Sequence, residues 1–243
     1  LMRQAQSVKK GVRANGGTPR EFCTITVTDG IAMGHEGMKS SLISREVIAD
    51  SAELTVRGHC YDALVGIAGC DKSLPALMMS MVRLNVPSVF IYGGSILPGR
   101  YKGKDVTVVD VFEAVGKHSS GQMSSAELRK LELVACPSAG ACGGQFTANT
   151  MACVSEAIGL ALPYSAGTPA PYEERDKYAK ASGKTVMNLL KKKIKPRDIV
   201  TKKALENAAT IVAATGGSTN AALHLPAIAN EAGIKFDLMD VAK

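Results

Sequence analysis

Short runs of apolar and β-branched residues alternate, in the first half of the chain, with longer segments whose apolar residues recur at helical spacing. The three short runs, which we predict to be β-strands, are residues 24–28 (TITVT), 63–68 (ALVGIA) and 87–92 (PSVFIY). Strands that alternate with helices are typical of βαβ units, whose strands pair in parallel beneath covering helices. The pattern therefore predicts an α/β domain of three layers, with a mostly parallel sheet flanked by helices.

Helical periodicity extends through most of the second half of the chain, which we therefore predict to be rich in helix. Two helix starts carry local signals, since Ser44 can cap the first predicted helix and Ser124 with Glu127 resembles a capping box. The predicted helices are residues 44–57, 74–84, 106–117, 124–134, 148–160, 173–193, 201–214 and 218–232. The segments predicted to be loops are residues 95–105, 136–144 and 163–171.

The composition is that of a folded domain, because 46% of the 243 residues are hydrophobic and 21% are charged. Such values exclude wholesale disorder. No window approaches the roughly 18 consecutive apolar residues of a transmembrane helix. Six cysteines are too few for a disulfide scaffold in a chain of this length. No signal sequence follows Leu1, and the abrupt ends at Leu1 and Lys243 lead us to expect a fragment of a longer protein.

An excess of basic residues, which gives a formal net charge of +7, raises the question of nucleic-acid binding. A nucleic-acid site usually combines a clustered basic stripe with stacking aromatic side chains. Here Trp is absent, and the densest basic run, residues 191–193, closes a predicted helix, where cations complement the helix dipole. We therefore predict no nucleic-acid partner, and a mild positive field also suits a small anionic substrate.

The motifs of several common cofactor sites are incomplete in this chain. Residues 182–185 end like a phosphate-binding loop, but Tyr178 stands where that loop needs a glycine. The paired glycines lack the spacing of a dinucleotide-binding fingerprint, and no two histidines have the spacing of a helical zinc motif. The sequence therefore excludes these three kinds of site.

The strongest local feature is the sequence Cys70-Asp71-Lys72, which follows the predicted strand 63–68. In open parallel sheets, ligands bind beyond the carboxyl ends of the strands, near the start of the next helix. A thiolate binds soft metals and a carboxylate binds hard cations such as Mg²⁺, so this position is a candidate metal site. An inert buried cysteine beside a surface Asp–Lys ion pair is the alternative interpretation, which these residues leave open.

Two further residues are candidates for the same site. Asp29 follows the predicted strand 24–28 and is expected at the same edge of the sheet. Cys142 lies in a loop of small residues, 138–144, where the backbone can approach a ligand closely. Amide groups of such a loop can hydrogen-bond the sulfur atoms of a metal cluster. The sequence thus offers two thiols and two carboxylates as candidate metal ligands.

The other four cysteines are weaker candidates. We predict that Cys23, Cys60 and Cys153 are buried small hydrophobes with no role in chemistry. Cys136 lies at the edge of the loop of small residues and stays open as a ligand, since such loops also hold clusters.

Ser218 and Thr219 stand at the start of the last predicted helix. Free amides at a helix start can bind a carboxylate, so we predict that these two residues contact the substrate. An ordinary N-cap at Ser218 is an equally acceptable interpretation. His224, one turn later, is expected to be a structural histidine.

Several long stretches resemble the family of dihydroxy-acid and phosphogluconate dehydratases, in order and over essentially the whole chain. Residues 92–116 and 162–170 are most similar to the members that act on dihydroxy acids. The other stretches that carry the resemblance are TDGIAMGHEGM (28–38), SREVIADS (44–51), GCDK (69–72), ACGGQFTANTM (141–151) and GGSTNAALH (216–224). The resemblance implies that residues 1–243 are the amino-terminal α/β domain of such a dehydratase, a hydro-lyase.

The resemblance implies an activity, the dehydration of 2,3-dihydroxy carboxylic acids to 2-keto acids in valine and isoleucine biosynthesis. In the family, an iron–sulfur cluster with an open iron acts as a Lewis acid on the C3 hydroxyl, while Mg²⁺ binds the carboxylate and the C2 oxygen. Carried onto this chain, the family pattern makes Cys70 and Cys142 ligands of the cluster. It makes Asp29, Asp71 and Lys72 ligands of Mg²⁺, with Lys72 carbamylated so that its charge is reversed.

The same resemblance implies that this chain lacks parts of the site. Family members with a 2Fe–2S cluster use three cysteines, and the first is expected a few residues before Leu1. The catalytic base, a serine, and a glutamate ligand of Mg²⁺ are expected in a carboxyl-terminal half. We therefore expect the fragment alone to be inactive and to hold no catalytic base, and we favour a 2Fe–2S over a 4Fe–4S cluster.

Two other functions stay open at this point. An aldonic-acid or 6-phosphogluconate dehydratase would share the site and bind a longer polyol. An iron–sulfur module for electron transfer or sensing belongs to another class, but it would need neither an open iron nor Mg²⁺. The resemblance also implies a homodimer. The lack of a long apolar run predicts no membrane partner. Free cysteines and an oxygen-sensitive cluster predict a reducing compartment, either the cytoplasm or an organellar matrix.

Overall fold

The computed structural model describes residues 1–242, and a small parallel sheet lies at its centre. Strand β1 (Leu64–Ala68) pairs in parallel with strand β2 (Ser88–Tyr92). In this register Ala68 stands opposite Tyr92, so the two strands end side by side. Whatever follows each strand therefore leaves the sheet at the same edge.

Every residue of β2 is buried, whereas buried and half-buried residues alternate along β1. A parallel strand that is covered on both faces needs a continuous apolar run, and the sequence SVFIY comes close to one. Phe90 of β2 also forms a single parallel bridge to Ala161, so a third segment lies beside β2. Strand β2 therefore lies between β1 on one side and the segment at Ala161 on the other.

Helices make up most of the remaining structure. Those of the first half are α1 (Met2–Arg13), α2 (Asp29–Ala32), α3 (Ser41–Gly58), α4 (Ser73–Leu84) and α5 (Val108–Ser119), with a 3₁₀ turn at Glu36–Ser40. Those of the second half are α6 (Ser125–Ala135), α7 (Thr147–Ile158), α8 (Glu174–Lys192), α9 (Pro196–Ile199), α10 (Lys202–Ala214), α11 (Ala221–Ala232) and α12 (Leu238–Ala242). An antiparallel hairpin, β3 (Gly99–Tyr101) and β4 (Lys104–Val106), lies before α5. No helix within residues 1–242 has the length and apolar character needed to cross a membrane.

Two hydrophobic clusters, one on each face of the sheet, define three layers. On one face, α1 and α8 pack against Val89 and Ile91 of β2. On the other face, α3, α4, α7, α10 and α11 enclose a larger core that includes Phe90 and Met78. The predicted three-layer α/β architecture with a helix-rich second half is therefore confirmed, although the sheet is small.

Helix α4 lies in the larger core, and ten of its 12 residues are buried. Its methionines at positions 78, 79 and 81 are unbranched side chains that adapt to the irregular spaces between helices. The buried Ser80 hydroxyl contacts the carbonyl oxygens of Ala76 at 2.9 Å and Ala49 at 3.1 Å. The helix is thus held tightly, and so is the turn that enters it from β1.

The helix ends follow the local signals only in part. Ser124 and Glu127 form the predicted capping box at the start of α6. Ser44 is not an N-cap, because α3 begins after Ser40 and Ser44 is buried within the helix, where it donates to a carbonyl one turn earlier. The last long helix begins at Ala221, three positions later than predicted, so that residues 218–220 precede it.

The predicted strand at residues 24–28 is wrong. These residues pair with no other strand, and Ile25 is 55% exposed. The β-propensity of a residue reflects how well it packs on a pleated, half-buried surface, and here no second strand offers that surface. The segment instead leads into the short helix α2, which begins at Asp29.

Helix α1 and the hairpin of β3 and β4 are among the elements that the sequence patterns do not predict. Helix α1 has a narrow apolar face, since Val8 and Val12 are its only buried large hydrophobic residues. The hairpin of β3 and β4 lies inside the predicted loop 95–105. Its turn residues, Lys102 and Gly103, have φ angles of 49° and 80°, as a two-residue primed turn requires. Lysine is an uncommon residue at such a position, so the local signal for this hairpin is weak.

Helices α1 and α8 cross at two glycines, Gly11 and Gly183. A Cβ atom on Gly11 would overlap the carbonyl oxygen of Lys180, and one on Gly183 would overlap that of Val8. Only residues without a side chain allow the two backbones to approach so closely. The packing of α1 and α8 against each other, on one face of the sheet, therefore depends on both glycines.

Gly183→Ala should lower the free energy of unfolding by about 1–3 kcal/mol, because the added methyl group forces α1 and α8 apart. Gly116 offers a matched control, since it also lies inside a helix but nothing stands within 4 Å of a Cβ built there. Gly116→Ala should raise the free energy of unfolding by about 0.5–1 kcal/mol, because alanine favours helix. Urea unfolding followed by circular dichroism measures both changes, and equal effects of the two variants would contradict the close crossing.

Candidate functional site

Cys70, Asp71 and Lys72 form the turn between β1 and α4, at the carboxyl edge of the sheet. Ser73 holds this turn, because its Oγ accepts from the Cys70 N–H at 3.1 Å and donates to the Cys70 carbonyl at 2.9 Å. Cys70 and Lys72 are only 7% and 4% exposed. The turn therefore presents a thiol, a carboxylate and an amine from a braced and buried backbone.

The Lys72 ammonium group is paired with Asp29 in the protein interior. Its Nζ atom lies 2.8 Å from Oδ2 of Asp29 and 3.9 Å from Oδ2 of Asp71. Ser41 donates to the other oxygen of Asp29, Oδ1, at 2.7 Å. Because both members of the Lys72–Asp29 pair are almost fully buried, loss of one would leave an uncompensated charge on the other.

Asp29 reaches the site from helix α2 and not from the end of a strand. The predicted strand 24–28 would place Asp29 at the sheet edge, but this strand does not form. Thr28 is instead the N-cap of α2, and Asp29 is the first residue of that helix, where a carboxylate is favoured. The structure nonetheless brings Asp29 to Lys72.

The Asp71 carboxyl and the Cys70 thiol have shifted pKa values. Burial raises the pKa of the Asp71 carboxyl, and the negative charge of Asp29 raises it further. A hydrogen bond to Thr147 and the positive charge of Lys72 act in the opposite direction. Burial also raises the pKa of the Cys70 thiol, whereas hydrogen bonds from the backbone N–H groups of Asp29 and Asp71 lower it. An added cation would relieve this crowding of acidic groups.

Cys142 approaches the same sheet edge from the loop before α7. Its carbonyl accepts from the Ile96 N–H at 2.9 Å, and the Ala141 N–H donates to the Gly94 carbonyl at 2.9 Å. Cys142 is 7% exposed, and its thiol donates to the Gly144 carbonyl at 3.3 Å. The loop is thus pinned to residues that follow β2, which brings Cys142 to the strand end next to that of Cys70.

Tyr92 and Asn149, which the sequence analysis does not single out, adjoin this loop. Tyr92 is 1% exposed, and its hydroxyl donates to Oδ1 of Asn149 at 2.6 Å. Burial raises the pKa of Tyr92, and the thiols of Cys142 and Cys70 raise it further when they are ionised, whereas the positive charge of Arg175 lowers it. Both thiols are therefore near the same phenol. The only signal in the sequence is a tyrosine at the end of a buried strand.

The other cysteines lie in different surroundings. Cys23 and Cys60 are exposed, so the prediction that they are buried is wrong. Cys23 belongs to the extended segment without a strand partner, and Cys60 follows the end of α3. Cys153 is half-buried. Cys136 is exposed, and partial burial together with the charge of an ionised Cys142 raises the pKa of its thiol. A role for Cys136 as a metal ligand stays a prediction.

Ser218 and Thr219 lie in the turn before α11. The Ser218 hydroxyl accepts from the Asn220 N–H at 3.2 Å. It also lies 3.1 Å from Oγ1 of Thr147, the residue that hydrogen-bonds Asp71. Ser218 therefore already has partners within the protein, and a substrate contact by Ser218 or Thr219 stays a prediction.

His224 is fully buried on α11 and hydrogen-bonds Arg45 of α3. Its Nδ1 lies 3.1 Å from Nη1 of Arg45, and because a guanidinium only donates, the ring proton is on Nε2. This Nε2–H group has no hydrogen-bond partner within residues 1–242. Burial lowers the pKa of His224 to about 3, together with the positive charges of Arg45 and Lys72, so the ring is neutral.

These residues fit an iron–sulfur cluster and Mg²⁺ in type but not in number. Thiolates suit iron and carboxylates suit Mg²⁺. The unpartnered N–H group of His224, near the charge of Lys72, also fits a site to which an anionic group such as a carbamate is added. Across the described residues, however, no three His, Cys, Asp or Glu side chains are grouped so that they could hold a metal ion. A complete site needs further ligands.

The fold and the site together define an α/β domain with a buried set of thiols, carboxylates and a lysine at one edge of its sheet. A model of the dihydroxy-acid/6-phosphogluconate dehydratase N-terminal family matches residues 1–243. The chain therefore belongs to this family of dehydratases, which confirms the resemblance seen in the sequence, and it corresponds to their amino-terminal part.

Several curated relatives are similar along the whole chain. The chain is 94% identical over 243 residues to the dihydroxy-acid dehydratase of Pelagibacter ubique (strain HTCC1062), and it covers 42% of that protein. It is 82% identical over 243 residues to the dihydroxy-acid dehydratase of Parvibaculum lavamentivorans, again covering 42% of the relative. The dihydroxy-acid dehydratase of Sulfurisphaera tokodaii is 55% identical over 240 residues, which are 99% of this chain and 43% of that protein. The chain thus spans about two fifths of the length of these relatives.

His224 should make the folded protein sensitive to acid. Its pKa is lowered from 6.5 to about 3 in the folded state. Between these values the unfolded chain binds a proton that the folded protein does not bind. The stability from the neutral ring is therefore complete above pH 6.5 and falls by about 1.4 kcal/mol for each pH unit below it. His224→Gln keeps a donor and an acceptor and should flatten this dependence in urea unfolding measured from about pH 7 to about pH 5.

His59 offers the matched control, because it is exposed at the end of α3. His59→Gln should leave the pH dependence of the unfolding free energy as it is in the wild-type protein. If His224→Gln lost stability in acid as steeply as the wild-type protein, the neutral and buried state of His224 would be wrong.

Proposed function

We propose that this chain is the amino-terminal part of an enzyme that dehydrates 2,3-dihydroxy carboxylic acids to 2-keto acids, as in valine and isoleucine biosynthesis. The observation that carries the proposal is the meeting of Asp29, Asp71 and Lys72 beside Cys70 at one buried sheet edge. Relatives at 94% and 82% identity are named dihydroxy-acid dehydratase, which favours this substrate class over the longer sugar acids.

In this proposal, the residues of the site hold two inorganic groups. Cys70 and Cys142 are thiolate ligands of an iron–sulfur cluster, for which we favour the 2Fe–2S type. Asp29, Asp71 and a carbamylated Lys72 are ligands of Mg²⁺. When bound, these groups supply an open iron as a Lewis acid toward the leaving hydroxyl and a cation that acidifies the C2 proton.

The chain's own residues prepare the site in two ways. Backbone N–H groups of Asp29 and Asp71 stabilise the Cys70 thiolate, which offsets part of the cost of burying its charge. The Lys72 ammonium holds Asp29 in place by direct pairing. After Lys72 loses a proton, its amine adds carbon dioxide and releases a second proton, which leaves a carbamate. A positive group thereby becomes a negative one, and Asp29 and the carbamate of Lys72 would then be available to hold Mg²⁺.

The remaining groups of the reaction are assigned to the rest of a longer protein. We expect the base that removes the C2 proton there, together with further ligands of the cluster and of Mg²⁺, so the fragment alone is inactive. In this proposal Ser218, whose hydroxyl contacts Thr147, and its neighbour Thr219 bind the substrate's carboxylate. Following the family resemblance, we also propose a homodimer. Six free cysteines favour a reducing compartment, the cytoplasm or an organellar matrix.

A chimaera in which this chain replaces the matching 42% of the Pelagibacter ubique relative tests the proposal. After anaerobic reconstitution with iron, sulfide and Mg²⁺, the chimaera should convert 2,3-dihydroxyisovalerate to the 2-keto acid. Turnover of aldonates or 6-phosphogluconate alone would favour the other dehydratases of the family. Reversible uptake of electrons without any turnover would favour an electron-transfer module.

Cys70→Ser and Cys142→Ser should each reduce the iron that the chimaera retains after gel filtration by about tenfold, because a hydroxyl replaces a thiolate ligand. Cys60→Ser is the matched control, since Cys60 is exposed and follows the end of α3. Iron retention should be unchanged in this control. Equal iron in all three variants would contradict the assignment of both ligands.

Lys72→Arg keeps the positive charge that pairs with Asp29 but cannot form a carbamate. In the chimaera supplied with ¹³C-bicarbonate, this variant should lack the carbamate carbon signal in NMR spectra and should bind Mg²⁺ about tenfold to hundredfold more weakly. Lys39→Arg is the matched control, because Lys39 is exposed and pairs with Glu36. A carbamate signal that persists in Lys72→Arg would place the modification on another residue.

A further inference from the structure

Tyr92, Asn149 and Gly144 form a chain of hydrogen bonds that ends at Cys142. The Tyr92 hydroxyl, at the carboxyl end of β2, donates to Oδ1 of Asn149 at 2.6 Å. The amide nitrogen of Asn149 donates to the Gly144 carbonyl at 2.5 Å. The same carbonyl accepts from the Cys142 thiol at 3.3 Å. One carbonyl oxygen therefore joins an amide donor to a candidate metal ligand.

The donors and acceptors of this chain of bonds have a single consistent arrangement. A carbonyl oxygen only accepts, so the end of the Asn149 amide that faces Gly144 is its NH₂ group. The oxygen of that amide then faces Tyr92, and the phenol has to donate to it. The Gly144 carbonyl thus sets the orientation of the Asn149 amide, and the Tyr92 hydroxyl stabilises that orientation by donating to the amide oxygen.

The Gly144 carbonyl loses one hydrogen-bond donor when Cys142 changes from a thiol to a thiolate. A thiol donates its hydrogen to this oxygen, but a thiolate that binds iron has no hydrogen to donate. Without Asn149, the oxygen would then lack a donor and would face a negatively charged sulfur, which is unfavourable in a buried site. The Asn149 amide keeps the oxygen hydrogen-bonded in both states of the cysteine.

We propose that Tyr92 and Asn149 are positioning residues for Cys142, in which the phenol orients the amide and the amide holds the Gly144 carbonyl while Cys142 binds an iron–sulfur cluster as a thiolate. This inference rests on the proposed function, because it takes Cys142 to be a ligand of the cluster. Hydrogen-bond partners one step beyond a metal ligand commonly change its affinity and its electron density.

The backbone of the Cys142 loop is held independently of these side chains. Two backbone hydrogen bonds of 2.9 Å connect Cys142 to Ile96 and Ala141 to Gly94. Removal of the Tyr92 hydroxyl therefore leaves the loop in place and changes the side-chain contact to Gly144. This separation makes the positioning role testable in a folded protein.

In the chimaera reconstituted with iron and sulfide, Tyr92→Phe should lose iron to a chelator about tenfold faster than the wild-type chimaera. It should also shift the reduction potential of the cluster to more negative values, because an uncompensated carbonyl dipole beside the sulfur disfavours an added electron. Asn149→Ser removes the amide and should have the same two effects. Tyr61→Phe, which removes the hydroxyl of a half-buried phenol elsewhere, is the matched control and should change neither quantity.

Combined variants establish whether Tyr92 acts through Asn149. In the Asn149→Ser background, Tyr92→Phe should add little to the change in potential or in iron loss. Additive effects would overturn the inference. So would single variants whose potential and iron-loss rate equal those of the wild-type chimaera. A merely structural role would lower the melting temperature without shifting the potential, so the potential is the deciding readout.

The wild-type chimaera distinguishes a failure of this inference from a failure of the proposed function. If Cys142→Ser retains as much iron as the wild-type chimaera, the proposed function is overturned, and this inference with it. If iron binding depends on Cys142 but the Tyr92 and Asn149 variants behave like the wild-type chimaera, only the positioning role is overturned.

Discussion

The candidate site is organised around a buried pair of opposite charges, Lys72 and Asp29, whose charged atoms are 2.8 Å apart. Taking two charges out of water is costly, and removing one member of such a pair destabilises a protein by about 3–5 kcal/mol. A well-packed apolar pair of similar volume would often stabilise the fold at least as well. We therefore propose that the pair is present for the function of the site and not for the stability of the fold. It joins the turn after β1 to the short helix α2, and Asp71 lies close to it.

The parallel pairing of β1 and β2 explains how distant parts of the chain reach this place. Ala68 and Tyr92 end side by side, and the segments that follow them carry the Cys70 turn and the backbone that pins the Cys142 loop. Helix α4, buried along nearly its whole length, holds the first of these segments still. The domain thus holds the residues of the candidate site on a braced sheet edge.

Local patterns predict the long helices other than α1, the two central strands and the turn after β1, because periodicity and strand–turn–helix order are properties of neighbouring residues. Residues 24–28 show the limit, since their alternation predicts a strand that no second strand supports. The contacts that complete the site join distant residues, 57 positions apart for Tyr92 and Asn149 and 179 apart for Arg45 and His224. No local pattern encodes such pairs, and the family resemblance suggests roles for residues but not their contacts.

The close crossing of α1 and α8 bears on the order in which the protein is assembled during synthesis. Arg3 of α1 forms an ion pair with Asp176 of α8, which lies 173 positions later in the chain. At translation rates of about 5–20 residues per second, α8 is made on the order of ten seconds after α1. Helix α1 is rich in polar residues, so it can remain exposed to solvent until α8 has been synthesised. One face of the central sheet is therefore closed late, after both of its strands have left the ribosome.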